Sequence, residues 1–227
     1  MKANNLYVAC IDLSEKRCLV VGAGPIALEK IEGLLAADAN VSVVAPCAID
    51  QVRNLADAGI IDLSLRGYAT TDLSGCFLVV AATSDTGVNT RIHADGEARS
   101  MLVNVADVPH LCNFMLPAIV REGPLAVAIS TAGASPALAK RMKREAADMF
   151  GAPYAELADI LESVRPWAKE HLPTYMDRKA FFEDVVNGAP DPIGLIAAGH
   201  TEQVWALIEA KKQEHAPARR GAPSTIR

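Results

Sequence analysis

Arg17-Cys18-Leu19-Val20-Val21-Gly22-Ala23-Gly24-Pro25-Ile26-Ala27 decides the fold. An apolar run rich in β-branched residues stops at Gly22, and helical spacing begins just beyond it. Gly22 to Ala27 fit the pattern Gly-x-Gly-x-x-Ala, and the strand–turn–helix setting gives that pattern its meaning. Gly22 permits a tight turn and Gly24 lets backbone come close to a pyrophosphate. Ala27 lets the helix lie close against the strand. The helix N-terminus, opening on Pro25 and Ile26, turns its free N–H groups to the phosphates. Gly22, Gly24, Pro25 and Ile26 are therefore expected to line a dinucleotide site. The competing reading is a tight turn with no ligand.

Working outward, strand-like and helix-like segments alternate. Ile26 to Ala37 has helical spacing, Val41 to Ala45 is a strand stopped by Pro46, and Ile49 to Ala58 is a helix closed by Gly59. Ile60 to Leu65 and Phe77 to Ala82 read as strands, Val88 to Ser100 as a helix, and Leu102 to Val105 as a fifth strand. Strands apolar along their length and separated by helices predict an α/β fold, a parallel sheet covered on both faces. A dinucleotide fold usually ends its second strand on Asp or Glu, for the ribose. Here that place reads Ala45-Pro46-Cys47; Asp38 comes earlier and Asp50 later. No Arg stands there for a 2′-phosphate, so NAD is favoured over NADP. The ribose is then held by backbone around Ala45, Pro46 and Cys47. In the loop Thr83-Ser84-Asp85-Thr86 and the helix after it, Thr83 and Asn89 are placed to face the cofactor. Capping of that helix by Ser84 or Asp85 accounts for the loop equally well.

Val103-Asn104-Val105-Ala106-Asp107-Val108-Pro109-His110-Leu111-Cys112-Asn113-Phe114 reads as a buried strand that runs out into a polar loop. Asp107 is its only carboxylate. In a parallel sheet this loop lies at the ligand edge, where a carboxylate can take up a proton as hydride leaves. An Asx turn with Val108-Pro109 is the equal alternative. Asp107, His110 and Cys112 have a short, nonstandard spacing for a metal site, and none is expected.

The second half changes character. Gly123 to Thr131 reads as an apolar strand, and Ser135-Pro136 suits an N-cap and first helical position. The helix to Phe150 carries Lys140, Arg141, Lys143 and Arg144, which form either a positive patch or a solvated face. Beyond Gly151-Ala152-Pro153 the patterning is helical only: Tyr154 to Glu170, Asp177 to Val186 and Thr201 to Glu214. The tail 215–227, rich in Pro, Ala and Arg, is predicted to be disordered.

Hydrophobic residues make up 51% of the 227, enough for a sizeable core, and the formal net charge of −5 argues against nucleic-acid binding. The five cysteines, Cys10, Cys18, Cys47, Cys76 and Cys112, form no Cys-x-x-Cys pair and read as small buried hydrophobes rather than disulfides or a zinc site. No apolar run is long enough to span a membrane. Met1 to Asn5 lacks a signal peptide's apolar stretch, so a cytoplasmic location is expected.

These motifs resemble the precorrin-2 dehydrogenase / sirohydrochlorin ferrochelatase family and the corresponding part of siroheme synthases. The resemblance rests on Val20-Val21-Gly22-Ala23-Gly24 with Ala27 and Lys30, Val43-Val44-Ala45-Pro46, and Ala81-Ala82-Thr83-Ser84-Asp85 with Asn89. It continues through Asn104 to Pro109, Leu111 to Phe114, Pro117-Ala118 and Ala128 to Pro136. It covers roughly the first 150 residues.

The resemblance implies a Rossmann-like NAD-binding domain at 1–115, a dimerisation segment at 116–150 and a small helical domain at 151–214. It implies a homodimer that oxidises precorrin-2 to sirohydrochlorin with NAD in siroheme biosynthesis, Asp107 being the general base. Asn104, His110, Thr131, Lys140 and Arg141 are the expected substrate contacts. Iron insertion, with Fe2+ as substrate, is a second activity of some members. No methyltransferase domain is expected in a chain of this length. A non-catalytic NAD- or tetrapyrrole-binding module is the reading from another class.

Overall fold

The structure, a computed structural model, describes residues 6–216. The expectations for Met1 to Asn5 and for most of the 215–227 tail lie outside the described residues. The chain divides into two units: residues up to 116 with 132–134, and 117–131 with those from 135 on.

The first unit is a five-stranded parallel sheet. Its strands are β1 (Arg17–Val21), β2 (Asn40–Ala45), β3 (Asp62–Leu65), β4 (Leu78–Ala81) and β5 (Leu102–Val105), in the order β3-β2-β1-β4-β5. Helices α1 (Pro25–Leu35), α2 (Asp50–Asp57) and α3 (Thr86–Glu97) make the crossovers, with a 3-10 turn at Thr70–Leu73 between β3 and β4. Alternation along β1 sorts the core into two layers. Cys18 and Val20 pack with Val41, Val43, Ala27, Ile31 and Val52 on one face. Leu19 and Val21 pack with Val79, Val103, Ile92 and Leu73 on the other. Gly96 of α3 lies so close to β5 that an added Cβ would stand 2.3 Å from Val103 Cγ2. Arg66, just past β3, makes two hydrogen bonds to Asp72 in the 3-10 turn, at 2.9 and 2.6 Å. They hold that carboxyl below its ordinary range.

The second unit opens with an antiparallel hairpin, β6 (Ala118–Glu122) and β7 (Leu125–Ile129), with Glu122 paired to Leu125. Gly123 takes φ +52° in its two-residue loop. The sequence reading placed one strand over 123–131. β6 escaped it because Pro117 precedes and charges end a segment of only five residues.

The helices are α4 (Pro136–Met149), α5 (Ala152–His171), α6 (Tyr175–Val186), α7 (Pro192–Ala197) and α8 (Thr201–His215). The six-residue α7 had no sequence-based expectation; it is too short for a periodic signal and Asp191 caps it. Leu157, Ile160, Val164, Phe181, Val185, Val204 and Ile208 close a separate core among these helices. No residue of α4 is buried, and Leu138, Met142 and Met149 are 49%, 42% and 64% exposed. At about 100° per residue these three fall on one stripe. None of the helices described is long and apolar enough to cross a membrane.

Candidate active site

All five strands point their carboxyl ends to one edge, and the loops there are laced together by the backbone. Gly22 N donates to Val44 O at 2.9 Å, Ala82 N to Val21 O at 2.8 Å, and Ala106 N to Ala81 O at 2.9 Å. The Gly22, Thr83 and Asp107 loops therefore sit on consecutive strands, β1, β4 and β5. Two inter-strand steps set the first and last about 10 Å apart.

Gly22 takes φ +114°, and a Cβ there would meet Ala82 O at 2.3 Å, so no other residue fits. Gly24 is the N-cap of α1. It makes no side-chain cap, and a Cβ on it would meet nothing within 4 Å. The helix thus begins with uncapped N–H groups in front of open space, as a pyrophosphate requires. Pro25 fills the first helical position and Ile26 is 48% exposed on the same turn. Ala45 is buried at the end of β2, leaving Pro46 and Cys47 exposed beyond it. Ile49 N donates to Ala23 O at 3.0 Å, tying this loop to the glycine turn. α2 then opens on Asp50, an anion where a 2′-phosphate would need a cation.

The Thr83 loop is organised from within. Thr83 Oγ1 donates to Asn89 Oδ1 at 2.8 Å, and Asn89 Nδ2 donates to Thr83 O at 3.0 Å. Asp85, not Ser84, caps α3 by accepting from Val88 N at 3.0 Å. Asn89 is buried with both ends of its amide engaged, so it shapes the loop, and Thr83 is the part left near the surface.

Asp107 is the first exposed residue after β5. Its backbone is left-handed, φ +60°, and its carboxylate makes no hydrogen bond or ion pair among the described residues. The Asx turn is thus not formed. An Asp tolerates that conformation better than most residues but still at a cost, and such strain gathers at functional positions.

The rest of the loop holds Asp107 in place. Cys112 Sγ accepts from Val105 N at 3.1 Å and donates to Val105 O at 3.2 Å. Burial pushes that thiol up, so it stays protonated, a poor metal ligand. Asn104, 9% exposed, donates through Nδ2 to Phe114 O at 3.1 Å. Asn113 accepts from Val103 N through Oδ1 and donates to Met101 O through Nδ2, both at 2.7 Å. It thereby takes the place of a sixth strand beside β5. The sequence reading gave Asn113 no role; its only signal was a polar residue inside an apolar return. His110 is exposed on a 3-10 turn, Pro109–Leu111.

Thr131, Lys140 and Arg141 belong to the second unit. Thr131 Oγ1 donates to Ser135 O and accepts from Ser135 N, both at 3.2 Å, and Ser135 caps α4. Lys140 is exposed, and Arg141 is paired with Glu145 at 2.8 Å. Among the described residues no three His, Cys, Asp or Glu side chains gather as a metal site would need.

Strand order and glycine turn define the first unit as a dinucleotide-binding domain of the Rossmann type. Comparison with known proteins agrees: residues 9–118 match the family model for putative NAD(P)-binding domains. Residues 122–148 match the central part of sirohaem biosynthesis proteins, and residues 153–211 match the sirohaem synthase dimerisation region. The chain belongs to the sirohaem synthase family. A siroheme synthase of Pseudoalteromonas atlantica is 38% identical over 201 residues, 88% of this chain and 43% of that protein. One of Pseudomonas entomophila is 42% identical over 172 residues, 76% of this chain and 37% of that protein. The chain spans about two-fifths of the length of these relatives. The solved structure of SirC, a precorrin-2 dehydrogenase, superimposes with a TM-score of 0.74 at 27% identity, covering 90% of this chain and 100% of that one.

The family model named for dimerisation covers 153–211, whereas the sequence reading assigned that role to 116–150.

Proposed function

We propose that this chain oxidises precorrin-2 to sirohydrochlorin with NAD as the hydride acceptor, and that Asp107 takes the proton. The observation that carries this reading is the Asp107 carboxylate: exposed, without a partner among the described residues, on a strained backbone at the ligand edge of the sheet. The likeness to SirC and to siroheme synthases supplies the substrate. Gly22, Gly24, Pro25 and Ile26 would hold the pyrophosphate, Ala45, Pro46 and Cys47 the adenosine ribose through backbone, and Thr83 the middle of the cofactor. Bound there, NAD supplies the acceptor for hydride. Asp107 accepts the proton that leaves the macrocycle with it. Asn89, Asn104, Cys112 and Asn113 act as positioning residues, since each is bonded to the loop it supports. Thr131, Lys140, Arg141 and His110 are proposed to meet the substrate carboxylates. The Asp50 anion beside the ribose loop favours NAD over NADP.

The proposed organisation is a nucleotide domain at 1–115, a hairpin-and-helix segment at 116–150 and a helical domain at 151–214. We propose a homodimer, located in the cytoplasm, with the unburied α4 stripe as part of its contact.

Purified chain given precorrin-2 and NAD should yield NADH and sirohydrochlorin in equal amounts; NAD binding without NADH formation would instead establish a non-catalytic module. Iron insertion is the second reading, favoured by one observation: His110, exposed, follows Asp107 by three residues, so two groups are free to receive pyrrole protons. A rate of Fe2+ insertion into sirohydrochlorin no faster than the uncatalysed rate rejects it.

A further inference from the structure

Within the second unit, α5 and α6 line an open surface cavity of about 410 Å³ that no part of the proposed mechanism uses. Arg165 and Lys169 stand one turn apart on the α5 wall; Arg178 stands on the α6 wall. Tyr175, Phe182 and Val186 supply apolar surface, Val186 being 41% and Tyr175 70% exposed. Lys179 and Glu183 also line it, and they neutralise one another across 3.7 Å. Arg165 and Lys169 have no hydrogen-bonded or ion-paired partner among the described residues. Arg178 is anchored by one nitrogen, Nη1, which donates to Leu172 O at 2.8 Å and Pro173 O at 3.1 Å. Its other N–H groups remain available.

Three uncompensated cations thus converge on a concave, partly aromatic surface in a chain of net charge −5. Long cationic side chains on a solvated face normally spread apart into water. Here Arg165, Lys169 and Arg178 line one concave surface, and like charges gathered in a concavity draw in an anion. Arginine forks match carboxylates bidentately, and exposed Tyr and Val surface gains from covering by a flat apolar body. A simple phosphate would use the cations and leave the apolar wall wet. The volume lies in the range of small-ligand pockets.

We propose that this cavity is a second ligand site, for an anion that carries two or more carboxylates on a flat apolar ring system. The tetrapyrrole of the proposed reaction is of this class; only the identity of the natural ligand rests on that reading. The site would hold substrate or product away from the reacting edge.

The test uses the full chain and uroporphyrin I, a stable porphyrin octacarboxylate, titrated to saturation by absorbance and fluorescence. Arg165→Glu/Lys169→Glu is compared with Lys16→Glu/Arg99→Glu, an equal charge reversal on exposed residues of the first unit, and with Arg165→Gln/Lys169→Gln. The α5 reversal should abolish one binding equivalent, leaving one if the proposed active site also takes the probe and none if it does not. The Gln pair should weaken that equivalent at least tenfold, and the control reversal should leave it within twofold. An unchanged number of equivalents in the α5 variants overturns the proposal, as does equal weakening by the control. Unaltered circular dichroism and melting confirm that the variants fold. Failure of the NADH assay would overturn the dehydrogenase and leave this site standing.

Discussion

Asp107 combines a carboxylate with a left-handed backbone, and substitution can separate the two. Asp107→Ala and Asp107→Asn should keep NAD affinity within twofold and lower turnover of precorrin-2 by about 10² or more, the range for loss of a general base. Asp107→Gly should lose the same activity while melting at or above the wild-type temperature. The strain of about 1 kcal/mol at φ +60° disappears when Cβ does. Activity and stability then move in opposite directions, measured by NADH production and thermal unfolding. A variant that lost both would show a structural carboxylate. The residue type was legible in the sequence, because one acid stood in an otherwise apolar and polar-neutral loop. Its φ angle was not, because it depends on Cys112 and Asn104 folding the loop back, contacts made across eight and ten residues. For the same reason the bonds that Asn89 and Asn104 make within the chain were not readable: an asparagine at a loop reads alike whether its amide meets a ligand, the chain or both.

The strands and helices of the first unit were readable because each burial pattern is local. Cys18 and Val20 alternate with Leu19 and Val21, and Gly22 ends the run. Closeness between elements was not readable, and Gly96 shows it. Gly96→Ala should cost about 1–3 kcal/mol, since the new methyl group drives into the stiff Val103 side chain. Adding Val103→Ala makes room, so the double variant should lose less than the two single losses summed; full additivity in thermal melts would contradict the contact.

The link from β3 to the following 3-10 turn is electrostatic. Asp72 has a folded pKa held down first by its hydrogen bond from Arg66. A carboxyl depressed on folding contributes stability above its unfolded pKa, about 3.9, and that contribution is lost as pH falls toward the folded value. Arg66→Met should therefore lower the melting temperature at pH 7. The gap to wild type should narrow as pH falls from the unfolded value toward the lower folded one; a gap independent of pH would assign the loss to packing instead.

At the scale of the whole molecule, the two units differ in what they leave uncovered. α5 to α8 close a core of their own, but no residue of α4 is fully buried. Leu138→Lys/Met142→Lys should convert the proposed dimer to monomer in light scattering at micromolar concentration, with helix content unchanged. A dimer that persisted would place the contact on the 153–211 helices. The sequence showed that this half was helical and not how it divides, because α7 and β6, six and five residues long, repeat their patterns too few times to stand out.

One small feature governs what the first unit does in a crowded solution. β5 ends the parallel sheet, and such a border displays backbone groups that a neighbouring chain can copy, the first step towards fibrils. Asn113 satisfies Val103 N and Met101 O from within the same chain. The sheet therefore reaches the solvent with that border already closed. Together with Cys112, which bonds Val105 N and O, the returning segment covers the border that other folds cover with a bulge, a proline or an extra helix.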